Sequence, residues 1–140
     1  MAGQNQDPAF LALNLNGKIP AIYDPVGPSG TPLALFESGA ILLYLADKTG
    51  QFISADPNTR YETIQWLMWQ MGGGGPMFGQ VGFFNKFAGK AYEDKCPLDH
   101  YATESARLLG VLDDASRTAS GRWALTTASP IFRLSAAFAT

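Results

Sequence analysis

The sequence predicts an α/β segment followed by an all-α segment, and two observations lead to this prediction. Residues 18–24 and 33–36 are short apolar runs typical of strands, and the loop between them is rich in proline and glycine. From residue 57 onward, apolar residues recur mostly at helical spacing. A two-stranded hairpin with one helix is too small for an independent sheet, so we expect the α/β half to be incomplete.

A buried helix is predicted for residues 38–48. Ser38 is a suitable N-cap, because its hydroxyl can accept hydrogen bonds from backbone N–H groups of the first turn. Gly50 stands where a left-handed C-terminal stop is expected, and Lys48 suits the negative end of the helix dipole. Residues 41–46 are apolar nearly all round, so we expect this helix to be packed on more than one side.

The second half begins with a helix start at Asp56 and Pro57. The methionines and tryptophans that follow at helical spacing are interpreted as core residues. The glycines at 72–75 are expected to end or kink this helix, because each costs about 1 kcal/mol relative to alanine. Residues 77–87 show no clear period.

The clearest helical pattern covers residues 97–117. One stripe of this helix is predicted to consist of Leu98, Tyr101, Ser105, Leu108, Leu109 and Leu112. Residues 119–140 contain two arginines but no acid, and they have no caps or regular period. We therefore expect 119–140 to be an atypical tail that is weakly structured or lies outside the natural reading frame.

Composition excludes several classes of function. The chain has 140 residues and a net charge of -2, which makes nucleic acid an unlikely partner. One cysteine and one histidine argue against a disulfide framework and against a metal site. The longest apolar run, residues 40–46, is too short to span a bilayer, and residues 1–8 do not resemble a signal peptide. We expect a cytosolic protein with no membrane partner.

Two short motifs are candidates for function, and each has a second interpretation. The Ile19-Pro20 pair could be a cis turn that presents its neighbour's backbone to a ligand, but the pattern alone favours a proline on an edge strand. Glu37-Ser38 precedes a helix, so the acid and the helix N-terminus could hold the ammonium and carboxylate of an α-amino acid. The pattern alone favours a simple cap beside a solvated acid.

These two motifs belong to longer stretches, which are residues 14–22, the proline loop that follows and residues 36–46. Taken in order, these stretches resemble the glutathione S-transferase family. Residues 66–72 and 75–77 are similar to the bacterial nu-class-like branch, which includes disulfide-bond oxidoreductases. The resemblance implies an incomplete thioredoxin-like domain at 1–54 that binds glutathione, followed by a partial all-α domain at 55–140. It also implies a homodimer.

The resemblance implies a role for six residues of this chain. Lys18 would lie near the glycine carboxylate of glutathione, and the backbone of Ile19, before Pro20, would face the cysteinyl part. Glu37 and Ser38 would hold the γ-glutamyl end. The sixth candidate is Gln4, just ahead of the Pro-x-Phe-Leu segment.

The activity that the resemblance implies is glutathione-dependent thiol transfer or disulfide reduction, with glutathione and an electrophile or disulfide as substrates. The family's thiol-activating residue lies ahead of the matched segment, so no catalytic residue is assigned and this chain as written is expected to be impaired. The alternative is a non-catalytic truncated homologue that acts at most as a binding or dimerisation module. His100 is interpreted as a solvent-facing helix residue and Cys96 as incidental.

Overall fold

A computed structural model describes residues 7–118 of the chain, which divides into two compact units between Gln51 and Phe52. Among the described residues, the first unit contains a two-stranded hairpin and two helices, and the second is helical throughout its regular elements. The predicted roles of 1–54 and 55–140 as family domains remain predictions. The candidate Gln4 and the tail at 119–140 lie outside the described residues.

The first unit is built on an antiparallel hairpin. Its elements in order are α1 (Pro8–Leu13), β1 (Ala21–Asp24), β2 (Leu33–Phe36) and α2 (Ser38–Thr49). The strands pair in the register Ala21↔Phe36 to Asp24↔Leu33. The predicted second strand is confirmed, whereas the first begins three residues later than predicted because residues 18–20 lie outside the ladder.

Helix α2 follows β2 almost directly and packs against both strands. Gly50 ends it in the left-handed conformation at φ 64°, as predicted, because glycine has no Cβ to oppose a positive φ. Ile41, Leu42 and Ala46 are buried. Leu45 is exposed, so the expectation that this helix is covered on more than one side is not met among the described residues.

The second unit has a helical path with one irregular turn. Helix α3 (Pro57–Trp69) begins as predicted, with the Asp56 carboxylate accepting a hydrogen bond from the Thr59 N–H at 2.8 Å. At its end a π-helical turn (Gln70–Gly74) leads directly into α4 (Gly75–Lys86). The glycines thus end α3, as expected. The chain nevertheless continues as a helix, through the π-helical turn into α4.

Helix α4 was missed because its glycine-rich sequence has no helical period. It packs along α5 (Cys96–Thr118), after a short 3₁₀ turn (Ala88–Ala91). The rings of Phe84 and Tyr101 stack with centroids 5.7 Å apart across this contact. Tertiary packing therefore supplies the stabilisation that the local propensity lacks.

The core of the second unit follows the predicted stripes with two exceptions. Leu67 is fully buried, and Trp66 is buried beside Trp69, so the interpretation of this stripe as core is confirmed for these residues. Met68 and Leu109 were predicted to face the core, but both are exposed, with Leu109 at 55%. They lie at the border of their stripes, where a single position of helical phase decides which way a side chain faces.

Within residues 7–118, no helix combines the length and hydropathy needed to cross a membrane.

Candidate functional site

The two motifs singled out in the sequence meet at one end of the hairpin. Ala21 pairs with Phe36 as the last rung of the ladder at this end. In an antiparallel pair, one step beyond that rung brings Pro20 opposite Glu37. The hairpin register therefore places the Ile19-Pro20 bend beside the N-terminus of α2.

The Ile19-Pro20 peptide bond is cis. The interpretation of Pro20 as an edge-strand proline is wrong, because β1 begins at Ala21 and the proline interrupts no rung of the ladder. Ile19 is 81% exposed, and Lys18 is also exposed. Both residues lie outside the ladder, so the sheet does not use their backbone groups.

A hydrogen-bonded turn leads into this bend and is organised by Asn14. The Gly17 N–H donates to the Asn14 carbonyl at 3.0 Å, with Gly17 at φ 63°. The Asn14 side chain accepts from the Asn16 N–H at 2.9 Å and donates to the Lys18 carbonyl. Asn14 is 1% exposed, so the turn is fixed from inside the unit.

Glu37 adopts a backbone conformation that is rare for a residue with a side chain. Its φ is 70° and its ψ is 114°, and such conformations cost about 1–3 kcal/mol and concentrate at functional sites. Its carbonyl accepts from the Ile41 N–H at 3.0 Å, which begins α2, and its side chain is exposed. This bend places Glu37 immediately ahead of the first turn of α2.

Ser38 is the first residue of α2 and not its N-cap. Glu37 takes the N-cap position and makes no side-chain capping bond. The predicted role of Ser38 as N-cap is therefore wrong, because the strained turn at Glu37 starts the helix one residue earlier than an ordinary serine cap would. The two residues together present a carboxylate, a hydroxyl and the N–H groups of a helix N-terminus, which suit the ammonium and carboxylate of an amino acid.

The opposite end of the hairpin is closed by its own side chains. Asp24 accepts from the Val26 N–H at 3.0 Å and from the Tyr44 hydroxyl and the Lys48 ammonium. The hydrogen bonds from Lys48 and then Tyr44 lower the pKa of the Asp24 carboxyl from 3.8 to about 2. The hydrogen bond to Asp24 in turn raises the pKa values of Tyr44 and Lys48. A cleft of about 420 Å³ adjoins Tyr44 and Lys48 beside the proline loop.

In the second unit, a shallow depression near the start of α5 contains both residues discounted in the sequence. Cys96 and His100 are exposed there, beside Asp99 and Glu104. The interpretation of His100 as an exposed helix residue is confirmed. Among the described residues, no three histidine, cysteine, aspartate or glutamate side chains are grouped to hold a metal ion.

Of the predicted site residues that the structure describes, Lys18, Ile19, Pro20, Glu37 and Ser38 all lie at one end of the hairpin. The sequence analysis assigned no role to Asn14. The available signal was the Asn-x-Asn-Gly spacing of residues 14–17, which is typical of a side-chain-stabilised turn ending in a left-handed glycine.

Comparisons with known proteins identify a family and several relatives of this chain. The family model described as "Glutathione S-transferase, N-terminal domain" matches residues 1–47. The disulfide-bond oxidoreductase YfcG of Escherichia coli is 50% identical over 107 residues, which are 76% of this chain and 49% of the relative. The chain spans about half the length of the curated relatives that it matches.

Solved structures show the same similarity. A glutathione transferase family member from Pseudomonas fluorescens, with two glutathione molecules bound, is 67% identical, with a TM-score of 0.76 over 79% of this chain and 48% of that one. A glutathione transferase from Burkholderia graminis, with two glutathione molecules per subunit, is 55% identical, with a TM-score of 0.78 over 96% of this chain and 59% of that one.

These neighbours confirm the predicted fold class, an incomplete thioredoxin-like α/β half followed by a helical half. Residues 14–22 and 36–46, which carried the resemblance to the family, lie within the residues that the family model matches. The relatives include disulfide-bond oxidoreductases, as the similarity at 66–72 and 75–77 predicted. The chain belongs to the glutathione S-transferase family.

Proposed function

We propose that the end of the hairpin formed by residues 18–20 and 37–38 binds glutathione, as part of a glutathione-dependent thiol transfer or disulfide reduction. The observation that carries this proposal is the strand register, which brings the Ile19-Pro20 bend next to Glu37 at the start of α2. One extended tripeptide can contact both places only if they are neighbours.

Each end of the tripeptide has a chemical complement at this site. The Glu37 carboxylate attracts the γ-glutamyl ammonium, while the N-terminus of α2 and the Ser38 hydroxyl suit the γ-glutamyl carboxylate. The backbone of Ile19 pairs with the cysteinyl main chain. The exposed Lys18 ammonium complements the glycine carboxylate. Gln4 remains a predicted contact on the strength of the resemblance alone.

The strain at Glu37 supports the same proposal. A residue with a Cβ at φ 70° costs stability, and glycine would relieve that cost. A carboxylate kept in this conformation at a helix mouth is accounted for if its charge binds a ligand.

The proposed reaction rests on the relatives, two of which are named disulfide-bond oxidoreductases. Glutathione is its thiol substrate and a disulfide or electrophile its second substrate. No residue of this chain is proposed to activate the glutathione thiol, so binding and turnover require separate measurements. The homodimer and the cytosolic location also remain proposals.

The test is a titration of ¹⁵N-labelled protein with reduced glutathione, followed by amide chemical shifts. We expect saturable shifts in the millimolar range at Ile19 and in the first turn of α2. The control ligand is the isomeric tripeptide with an ordinary α-glutamyl bond, which moves the ammonium and carboxylate relative to the cysteine. Equal responses to both tripeptides, or no response at these amides, would contradict the proposal.

Turnover is measured on the same preparation as glutathione-dependent reduction of bis(2-hydroxyethyl) disulfide. Binding with turnover supports the enzyme. Binding without turnover supports the alternative of a non-catalytic binding module.

A further inference from the structure

We propose that Asn14 is a positioning residue for the glutathione site, and that it sets the direction in which the Ile19 N–H points. The proposal rests on the proposed function and adds to it a residue that does not itself touch the ligand.

Asn14 is held firmly enough to serve as a reference point for the loop. It is 1% exposed, and apart from Leu67 no other large side chain in the described residues is buried as completely. Its N–H donates to the Phe10 carbonyl at 2.9 Å and thereby ends α1, while its carbonyl accepts from the Gly17 N–H at 3.0 Å. The backbone of Asn14 therefore connects a helix end to the turn that follows.

The Asn14 side chain uses both of its polar atoms on that turn. Its Oδ1 accepts from the Asn16 N–H at 2.9 Å, and its Nδ2 donates to the Lys18 carbonyl. An amide side chain is suited to this pair of contacts because it carries an acceptor and a donor on one planar group. Aspartate at pH 7 retains the acceptor but lacks the donor.

The bond to Lys18 determines the orientation of the next peptide unit. The Lys18–Ile19 peptide is trans, so its C=O and the Ile19 N–H point in opposite directions in one plane. When Asn14 holds the carbonyl toward the interior of the unit, the Ile19 N–H must point away from Asn14. Asn14 thus prearranges the donor that faces the cysteinyl main chain of the ligand, which reduces the ordering cost of binding.

The decisive variant is Asn14→Asp, studied in the full chain by the same amide-shift titration with reduced glutathione. We expect the Ile19 amide shift to move in the free protein, because the carboxylate cannot donate to Lys18. We expect glutathione affinity to fall about tenfold, which corresponds to the loss of one well-placed hydrogen bond. At saturating glutathione, the Gly39 amide in the first turn of α2 should still shift, whereas the Ile19 amide should no longer do so.

Asn16→Asp is the matched control. It introduces the same charge into the same turn, but on an exposed side chain, so we expect a much smaller loss of affinity. Asn14→Ser is a second test, which also serves if Asn14→Asp does not fold. A serine hydroxyl is too short to make both contacts of Asn14, and we expect an intermediate loss and a shifted Ile19 amide.

The outcomes separate this proposal from the proposed function. If the unmodified chain binds glutathione and the Asn14 variants bind it equally well, with the Ile19 response intact, the positioning role is wrong and the binding site stands. If the unmodified chain shows no response at Ile19 or in the first turn of α2, both proposals fail.

Discussion

The two ends of the β-hairpin use their polar groups in opposite ways. At the far end, where the proline loop joins the two strands, Asp24 accepts hydrogen bonds from Tyr44 and Lys48. The protein's own side chains therefore join β1 to the last turns of α2. At the near end, where the Ile19-Pro20 bend lies beside the start of α2, Ile19 and Glu37 are exposed and the backbone of Glu37 is strained.

This contrast teaches which end serves stability and which serves binding. An ion pair that is satisfied within the unit lowers the pKa of its carboxyl and contributes to folding. An exposed carboxylate on a strained backbone makes no such contribution to folding stability. We therefore attribute the Glu37 carboxylate to ligand binding. The three predictions that follow test this division, beginning with the largest effect.

Glu37→Gln should weaken glutathione binding by tenfold or more, because a hydrogen bond to a charged group contributes about 1.5–3 kcal/mol. The change keeps the side-chain shape and removes the charge that faces the γ-glutamyl ammonium. Binding is measured by the amide-shift titration, with Glu93→Gln, an exposed acid in the second unit, as the control. If Glu37→Gln and Glu93→Gln bound glutathione with equal affinity, the near end of the hairpin would not be part of the binding site.

Asp24→Asn should lower the thermal unfolding midpoint and leave glutathione affinity unchanged. The folded-state pKa of Asp24 is depressed to about 2 from 3.8, so its stabilising contribution is present above about pH 4 and is lost as the pH falls toward 2. The variant should therefore lose less stability than the parent chain over that interval, as measured by urea unfolding at each pH.

Glu93→Gln again serves as the control for Asp24→Asn, because it removes an exposed acid from the second unit and should leave the thermal unfolding midpoint close to that of the parent. If Asp24→Asn weakened glutathione binding as much as Glu37→Gln does, the two ends of the hairpin would not have separate roles.

Glu37→Gly should raise the free energy of unfolding by about 1 kcal/mol while weakening glutathione binding, because glycine tolerates a positive φ and carries no carboxylate. Gly50→Ala is the reverse control. Its φ is 64° and an added Cβ would meet nothing within 4 Å, so only backbone conformation changes, and stability should fall by about 1 kcal/mol. Urea unfolding measures both, and a Glu37→Gly variant that is less stable than its parent would contradict strain at Glu37.

The elements that were predicted correctly are those whose signals are local. The Asp56 cap, Pro57 and Gly50 mark helix ends through their own backbone chemistry, so α2 and α3 could be located from the sequence. Helix α4 could not be located, because its glycines oppose a helix locally and its contact with α5 stabilises it from a distance.

The site was predictable in part for the same reason. The sequence blocks resembled those of a family, and that resemblance indicated the residues at 18–20 and 37–38. The pattern alone favoured an edge proline and a serine cap, and both interpretations are wrong. The sequence analysis gave Asn14 no role, because the sequence does not show whether a short polar residue in a turn is buried or exposed.

The sequence by itself determined that a hairpin precedes α2, α3 and α5, that α2 stops at Gly50 and α3 starts at Asp56, and which family the chain resembles. These features depend on residues that are neighbours along the chain. Only the tertiary structure decided that Pro20 lies opposite Glu37, that Asn14 is buried with both side-chain polar atoms on the turn, and that Leu109 faces solvent. Those features depend on strand register and on helix phase. A shift of one residue in either would move every side chain involved to a different neighbour.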